Sequence, residues 1–79
     1  MKKTKYERQE HDFEKKCLRI IKVGDWTNLE AIASEHLEDT KCESFKGFFY
    51  LGVSFYKTGE HDNAIRAFQK AEAINSEDA

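Results

Sequence analysis

The chain has 79 residues, 39% of them apolar and 35% charged, with a formal net charge of −2. That length makes one domain, residues 1–79, and a domain of this size buries only about 60% of the surface its unfolded chain exposes, which argues against a large enclosed active site. No apolar run approaches the roughly 20 residues that span a bilayer, and acids and bases are interspersed rather than gathered into the basic stripe of a nucleic-acid footprint.

The opening stretch, "MKKTKYERQEHDFEKK", is charged throughout and has no signal-peptide apolar core, so a cytoplasmic location is expected. Its basic cluster, Lys2, Lys3 and Lys5, is short and followed by acids, and reads as a solvated end. Proline is absent, and the segments between the four glycines carry helical periodicity, so the fold class is all-α. Thr4 with Glu7 forms a capping box that opens a first helix over about residues 4–22, with Phe13, Cys17, Ile20 and Ile21 on one stripe. Gly24 and Asp25 end it.

A second box, Thr27 with Glu30, opens a helix over about residues 27–38 that carries Leu29, Ile32, Ala33, His36 and Leu37. Thr40 with Glu43 opens a third over about 41–57, with Gly59 as its terminating glycine, and Asp62 caps a fourth over about 62–74. Short connections make neighbouring helices antiparallel, giving two helix-turn-helix hairpins. The third helix, "FKGFFYLGVSFYK", is apolar around an arc of about 260°, far more than the roughly 100° a core-facing helix requires. Gly47 inside it implies close approach by a neighbouring backbone.

Gly24 and Gly59 stand 35 residues apart, and the positions before them correspond: Phe13 to Phe48, Cys17 to Gly52, Ile20 to Phe55, Ile21 to Tyr56. A period in the mid-thirties with a helical hairpin in each unit is a solenoid signature. The second unit, about residues 45–78, reads Phe48-x-x-Leu51-Gly52-x-x-Phe55, then Ala64-x-x-x-Phe68 and Ala71, and resembles the tetratricopeptide repeat family. It departs from the family pattern at Ser76, where proline is usual. About residues 10–43 look like a degenerate copy: Lys16 replaces the leucine, and Cys17, Leu29 and His36 fill the small sites at the helix crossing, so this hairpin is expected to be splayed. Trp26 takes the place of the aromatic often found after the turn.

The resemblance implies an α-solenoid whose first helices line a groove for a partner's peptide or amphipathic helix. Carried onto this chain, it assigns His11, Glu14, Leu18 and Lys22 on the first helix, and Lys46, Phe49, Tyr50, Val53 and Lys57 on the third, to partner binding. The lysines, arginine and asparagines of the family's carboxylate clamp are replaced by Phe49, Tyr50 and Val53, so a partly apolar protein partner is expected, and Tyr50→Ala and Val53→Glu should weaken its binding while leaving helicity intact. For Phe49 a core position is an equal alternative. A non-enzymatic adaptor or chaperone-like binder is the expected function. The alternative is a structural unit, either a homodimer or part of a longer array, in which Ile65, Ala67 and Ile74 serve self-association where a next helix would begin.

The residues offer little chemistry. Cys17 and Cys42 are too few and too far apart for a disulfide framework or a zinc pattern, and are expected to stay reduced. Glu10-His11, Glu35-His36 and Glu60-His61 lack metal-ligand spacing, with His36 read as a packing histidine. Cys17 on a core stripe is no activated nucleophile, and no glycine-rich phosphate loop exists. No metal, no cofactor and no enzymatic activity are expected.

Overall fold

The two glycines a period apart end their helices in the same way. Gly24 and Gly59 adopt left-handed φ values of +78° and +88°, a conformation glycine enters without Cβ strain. In the first turn the Gly24 N–H donates to the Ile21 carbonyl at 3.1 Å and the Asp25 N–H to the Ile20 carbonyl at 3.3 Å. In the second, Gly59 donates to Tyr56 at 3.2 Å and Glu60 to Phe55 at 2.8 Å. Both are Schellman closures, which satisfy carbonyls the helix leaves open and reverse the chain within two residues.

Between and around these turns the computed structural model, which describes residues 7–76, is all-helical. It has four helices in two hairpins: α1 (Glu7–Val23), α2 (Trp26–Asp39), α3 (Phe45–Lys57) and α4 (His61–Ser76). Among the described residues there is no strand, and no helix is long and apolar enough to cross a membrane.

Helix starts differ from the sequence expectation. Thr4 lies outside the described residues. Asp25, not Thr27, caps α2, its carboxylate accepting from the Asn28 N–H at 3.3 Å, because the Schellman turn delivers Asp25 directly to the N-cap position. Thr40 does not open α3 but closes α2, its hydroxyl donating to the His36 carbonyl at 3.0 Å. The α3 cap is Ser44, whose Oγ accepts from the Gly47 N–H at 2.8 Å. α4 begins at His61, so Asp62 sits inside its first turn, where its negative charge still favours the positive helix end.

The turn between α2 and α3 is the costly one. Its Schellman bonds run from Lys41 to the Glu38 carbonyl at 3.3 Å and from Cys42 to the Leu37 carbonyl at 2.7 Å. Lys41 and Cys42 hold φ values of +56° and +60° without being glycine. Left-handed backbone costs an L-residue roughly 1–2 kcal/mol, a strain glycine escapes, although its larger unfolded-state entropy takes back part of that gain. Lys41→Gly is therefore expected to raise stability by about 0.5–1 kcal/mol, read as a higher urea midpoint at unchanged slope. A lower midpoint would show that the lysine side chain holds the turn.

α3 is the middle helix. It packs most extensively on α4, then on α2, while α1 meets α2 and α3 more sparsely, so the first hairpin is the more splayed. Leu29 and His36, where the second hairpin has Ala64 and Ala71, hold α1 and α2 apart. Small residues set the close crossings. A Cβ on Gly52 would stand 2.6 Å from the Phe68 ring, and one on Gly47 2.7 Å from Leu37 Cδ2. The approach at Gly47 is thus made by a side chain of α2, not by a neighbouring backbone. Phe13, Cys17, Ile20, Leu29, Ala33 and Tyr50 form one core cluster, and Leu37, Phe48 and Ala71 another.

Candidate partner-binding groove

The nine residues assigned to a groove divide into open and engaged ones. On α1, His11, Leu18 and Lys22 are exposed, Leu18 at 53%. Glu14 is half-buried and ties α1 to α3, accepting from Lys46 Nζ at 2.9 Å and from the Tyr50 hydroxyl at 3.2 Å. Those two donors hold its carboxyl below the usual carboxylate range, the lysine contributing most. On α3, Phe49 is 39% exposed, Val53 is half-buried against the first core cluster, and Lys57 is exposed with Nζ 5.5 Å from the Trp26 ring centroid.

Tyr50 does not belong to an open groove. It is only 6% exposed and packs edge-on against Phe13, with ring centroids 5.8 Å apart. The physical reason is the middle position of α3, which buries the side facing α1 and α2 as well as the side facing α4. Phe49 occupies the margin of that packing. Its ring contacts those of Phe45, Tyr50 and Phe68 at 6.1, 5.1 and 5.9 Å, while part of it remains in solvent.

The three residues assigned to self-association also separate. Ile65 is 54% exposed, whereas Ala67 is 4% exposed, turned into the α3–α4 seam beside Phe48, Leu51 and Phe55. Ile74 is half-buried against the Leu37, Phe48 and Ala71 cluster. On a helix with 100° per residue, Ala67 lies about 200° from Ile65, so one open face cannot hold both.

A polar junction joins the three helices at one end. Glu10 Oε1 accepts from the Ser44 hydroxyl, and His36 Nε2 stands 3.7 Å from the same oxygen. His36 is buried, stacked flat on Phe13 at 4.0 Å, and its Nε2 has no hydrogen-bond partner among the described residues. Burial pushes its pKa below the ordinary value, against the opposing pull of Glu10 and Asp39. Cys17 is fully buried, and burial, reinforced by Glu14, pushes its thiol up to about 12, the opposite of an activated nucleophile. Cys42 is exposed, and both cysteines are free. Among the described residues no group of three or more His, Cys, Asp or Glu side chains is placed to hold a metal ion.

Sequence reasoning passed over Glu10, Ser44 and the Trp26–Lys57 contact. The pairs Glu10–Ser44, Glu14–Lys46 and Glu14–Tyr50 are separated by 34, 32 and 36 residues, close to the 35-residue spacing of the two glycines. Residues about one period apart are therefore neighbours, and a scan at that offset is the signal that finds them. Compared with the models of known protein families, with curated proteins and with solved structures, the chain matches none.

Proposed function

We propose that this chain is a tetratricopeptide-like helical repeat acting as a non-enzymatic adaptor or chaperone-like protein, which holds a partly apolar peptide or amphipathic helix of a partner against α1 and α3. The observation that carries the reading is that Leu18 on α1 and Phe49 on α3, both large and apolar, stay partly open to solvent, and that the basic residues Lys22 and Lys57 of the same two helices are exposed. Isolated exposed apolar residues are ordinary on protein surfaces; here they fall on the two helices that the repeat register assigns to a groove. Matching Schellman turns at Gly24 and Gly59, and a Gly52 crossed closely by Phe68, support the repeat itself.

Glu14, Lys46 and Tyr50 form the groove's floor rather than its binding edge, since they satisfy one another. The contact residues reduce to His11, Leu18, Lys22, Phe49, Val53 and Lys57, with cytoplasmic protein as the partner class. The test uses an exposed position that folding does not need. Leu18→Glu combined with Lys22→Glu is expected to abolish capture of a discrete set of proteins by the immobilised wild-type chain, with unchanged far-UV circular dichroism. Identical capture by both forms would remove α1 from the binding surface.

A further inference from the structure

The 35-residue register identifies a surface that shares only Phe49 with the proposed groove. In the first hairpin, α3 lies against Glu10, Glu14, Ala33 and Leu37: Glu10 takes the Ser44 hydroxyl, Glu14 takes Lys46 and Tyr50, Ala33 packs in the Tyr50 cluster, and Leu37 fills the space above Gly47. The equivalent positions of the second hairpin are Phe45, Phe49, Phe68 and Glu72. They line an open cleft of about 400 Å³ between α3 and α4. Two more equivalences extend it: Ile21 and Glu30 are half-buried, but their counterparts Tyr56 and Ile65 are 58% and 54% exposed. The second hairpin thus carries the docking site that α3 fills on the first, open and more apolar, since Glu10, Glu14 and Glu30 become Phe45, Phe49 and Ile65.

We infer that a second copy of this chain occupies the cleft, through a two-fold contact in which each copy's α3 edge, Phe45 and Phe49, enters the α3–α4 cleft of the other. Two arguments select this occupant. A head-to-tail contact would repeat the internal packing by bringing α1 of another copy into the cleft. The α1 residues in register with Gly47, Tyr50 and Ser54 are Asp12, Lys15 and Arg19, all exposed, and burying three charges on an aromatic face is strongly unfavourable. The two-fold contact instead sets five large apolar side chains of each copy against those of the other, with Gln69 and Glu72 at the rim.

The area is also sufficient. α3 and α4 have 13 and 16 residues, so their shared face is ~20 Å long and ~20 Å wide, and pairing two such faces buries on the order of 1,000 Å². That is the low end of specific interfaces, the size of a reversible contact.

The inference shares Phe49 with the proposed groove but does not rest on that reading, and sedimentation equilibrium of the 79-residue chain from about 5 to about 200 μM tests it. The expected result is a mass that rises with concentration from 9.2 kDa to twice that value and stops there. Ile65→Glu and Phe49→Glu should each weaken the dimer by about tenfold or more at unchanged helicity, while Leu18→Glu leaves it intact. Because Phe49 also touches the fold, Ile65→Glu is the deciding variant. A strict monomer over the whole range, a mass that climbs past the dimer, or a dimer that survives Ile65→Glu would each overturn the inference.

Discussion

Tyr50→Ala is expected to destabilise the protein by roughly 3–5 kcal/mol, the range for truncating a buried aromatic ring. Tyr50 is 6% exposed and sits among Phe13, Cys17, Ile20, Leu29 and Ala33, residues of α1 and α2, so removing its ring opens a cavity where three helices meet. At about 0.05–0.15 kcal/mol per residue, a domain of this length has roughly 4–12 kcal/mol in all, and the variant loses a large share of it. The melting temperature should fall by more than about 10 °C. Tyr50→Phe keeps the ring and loses only the hydroxyl bond to Glu14, so its cost should be near 1 kcal/mol. Thermal and urea unfolding followed at 222 nm separate the two, and a Tyr50→Ala midpoint close to that of Tyr50→Phe would remove Tyr50 from the core.

The same residue shows what the sequence could and could not convey. Periodicity and glycine placement were enough for four helices, two hairpins and the turn at each of Gly24 and Gly59. The 260° apolar arc of α3 is also visible in the sequence, but its cause is not. A helical wheel records which side chains are apolar, not which neighbour each one meets. A wheel that gives Phe48 and Gly52 to the α4 contact leaves Tyr50 over for a groove. In the structure α3 is flanked by α1, α2 and α4, and a helix with three neighbours requires apolar character around most of its circumference. The surplus is core on a second side, with Phe49 at the open margin.

The capping errors have a similar origin. Thr40 and Ser44 are both competent caps four residues apart, and the choice between them is made by the left-handed backbone at Lys41 and Cys42. Neither residue type advertises that conformation. Glycine does, which is why the ends of α1 and α3 were placed correctly and the start of α3 was not. The interhelical polar contacts were hidden for another reason: charged residues at helical spacing on α1 are indistinguishable from a solvated face until α3 supplies Lys46, Tyr50 and Ser44 as partners.

Alkali should unfold this protein far more readily than its composition implies, and the cause lies in the same cluster. Burial, with Glu14 adding its negative charge, raises the Cys17 thiol from 9.0 to about 12 and the Tyr50 phenol from 10.0 to about 12. Both groups are neutral when protonated, so the folded state keeps protons that the unfolded chain releases above pH 9 and 10. The folded chain then binds more protons, and stability falls as pH rises from about 9, levelling off only beyond about 12. Each group contributes a slope near 1.4 kcal/mol per pH unit, so by pH 11 the two together remove roughly 4 kcal/mol, comparable with the lower estimate of total stability. Urea titrations between pH 8 and 11 should show a plateau to about pH 9 and then a steepening decline. With the exposed Cys42 changed to serine throughout to prevent oxidation, Cys17→Ala should extend the plateau by about one pH unit, and Tyr50→Phe should reduce the slope above pH 10. A stability that stays level to pH 11 would mean that the thiol and phenol ionise inside the folded protein, and that the junction of α1, α2 and α3 admits water.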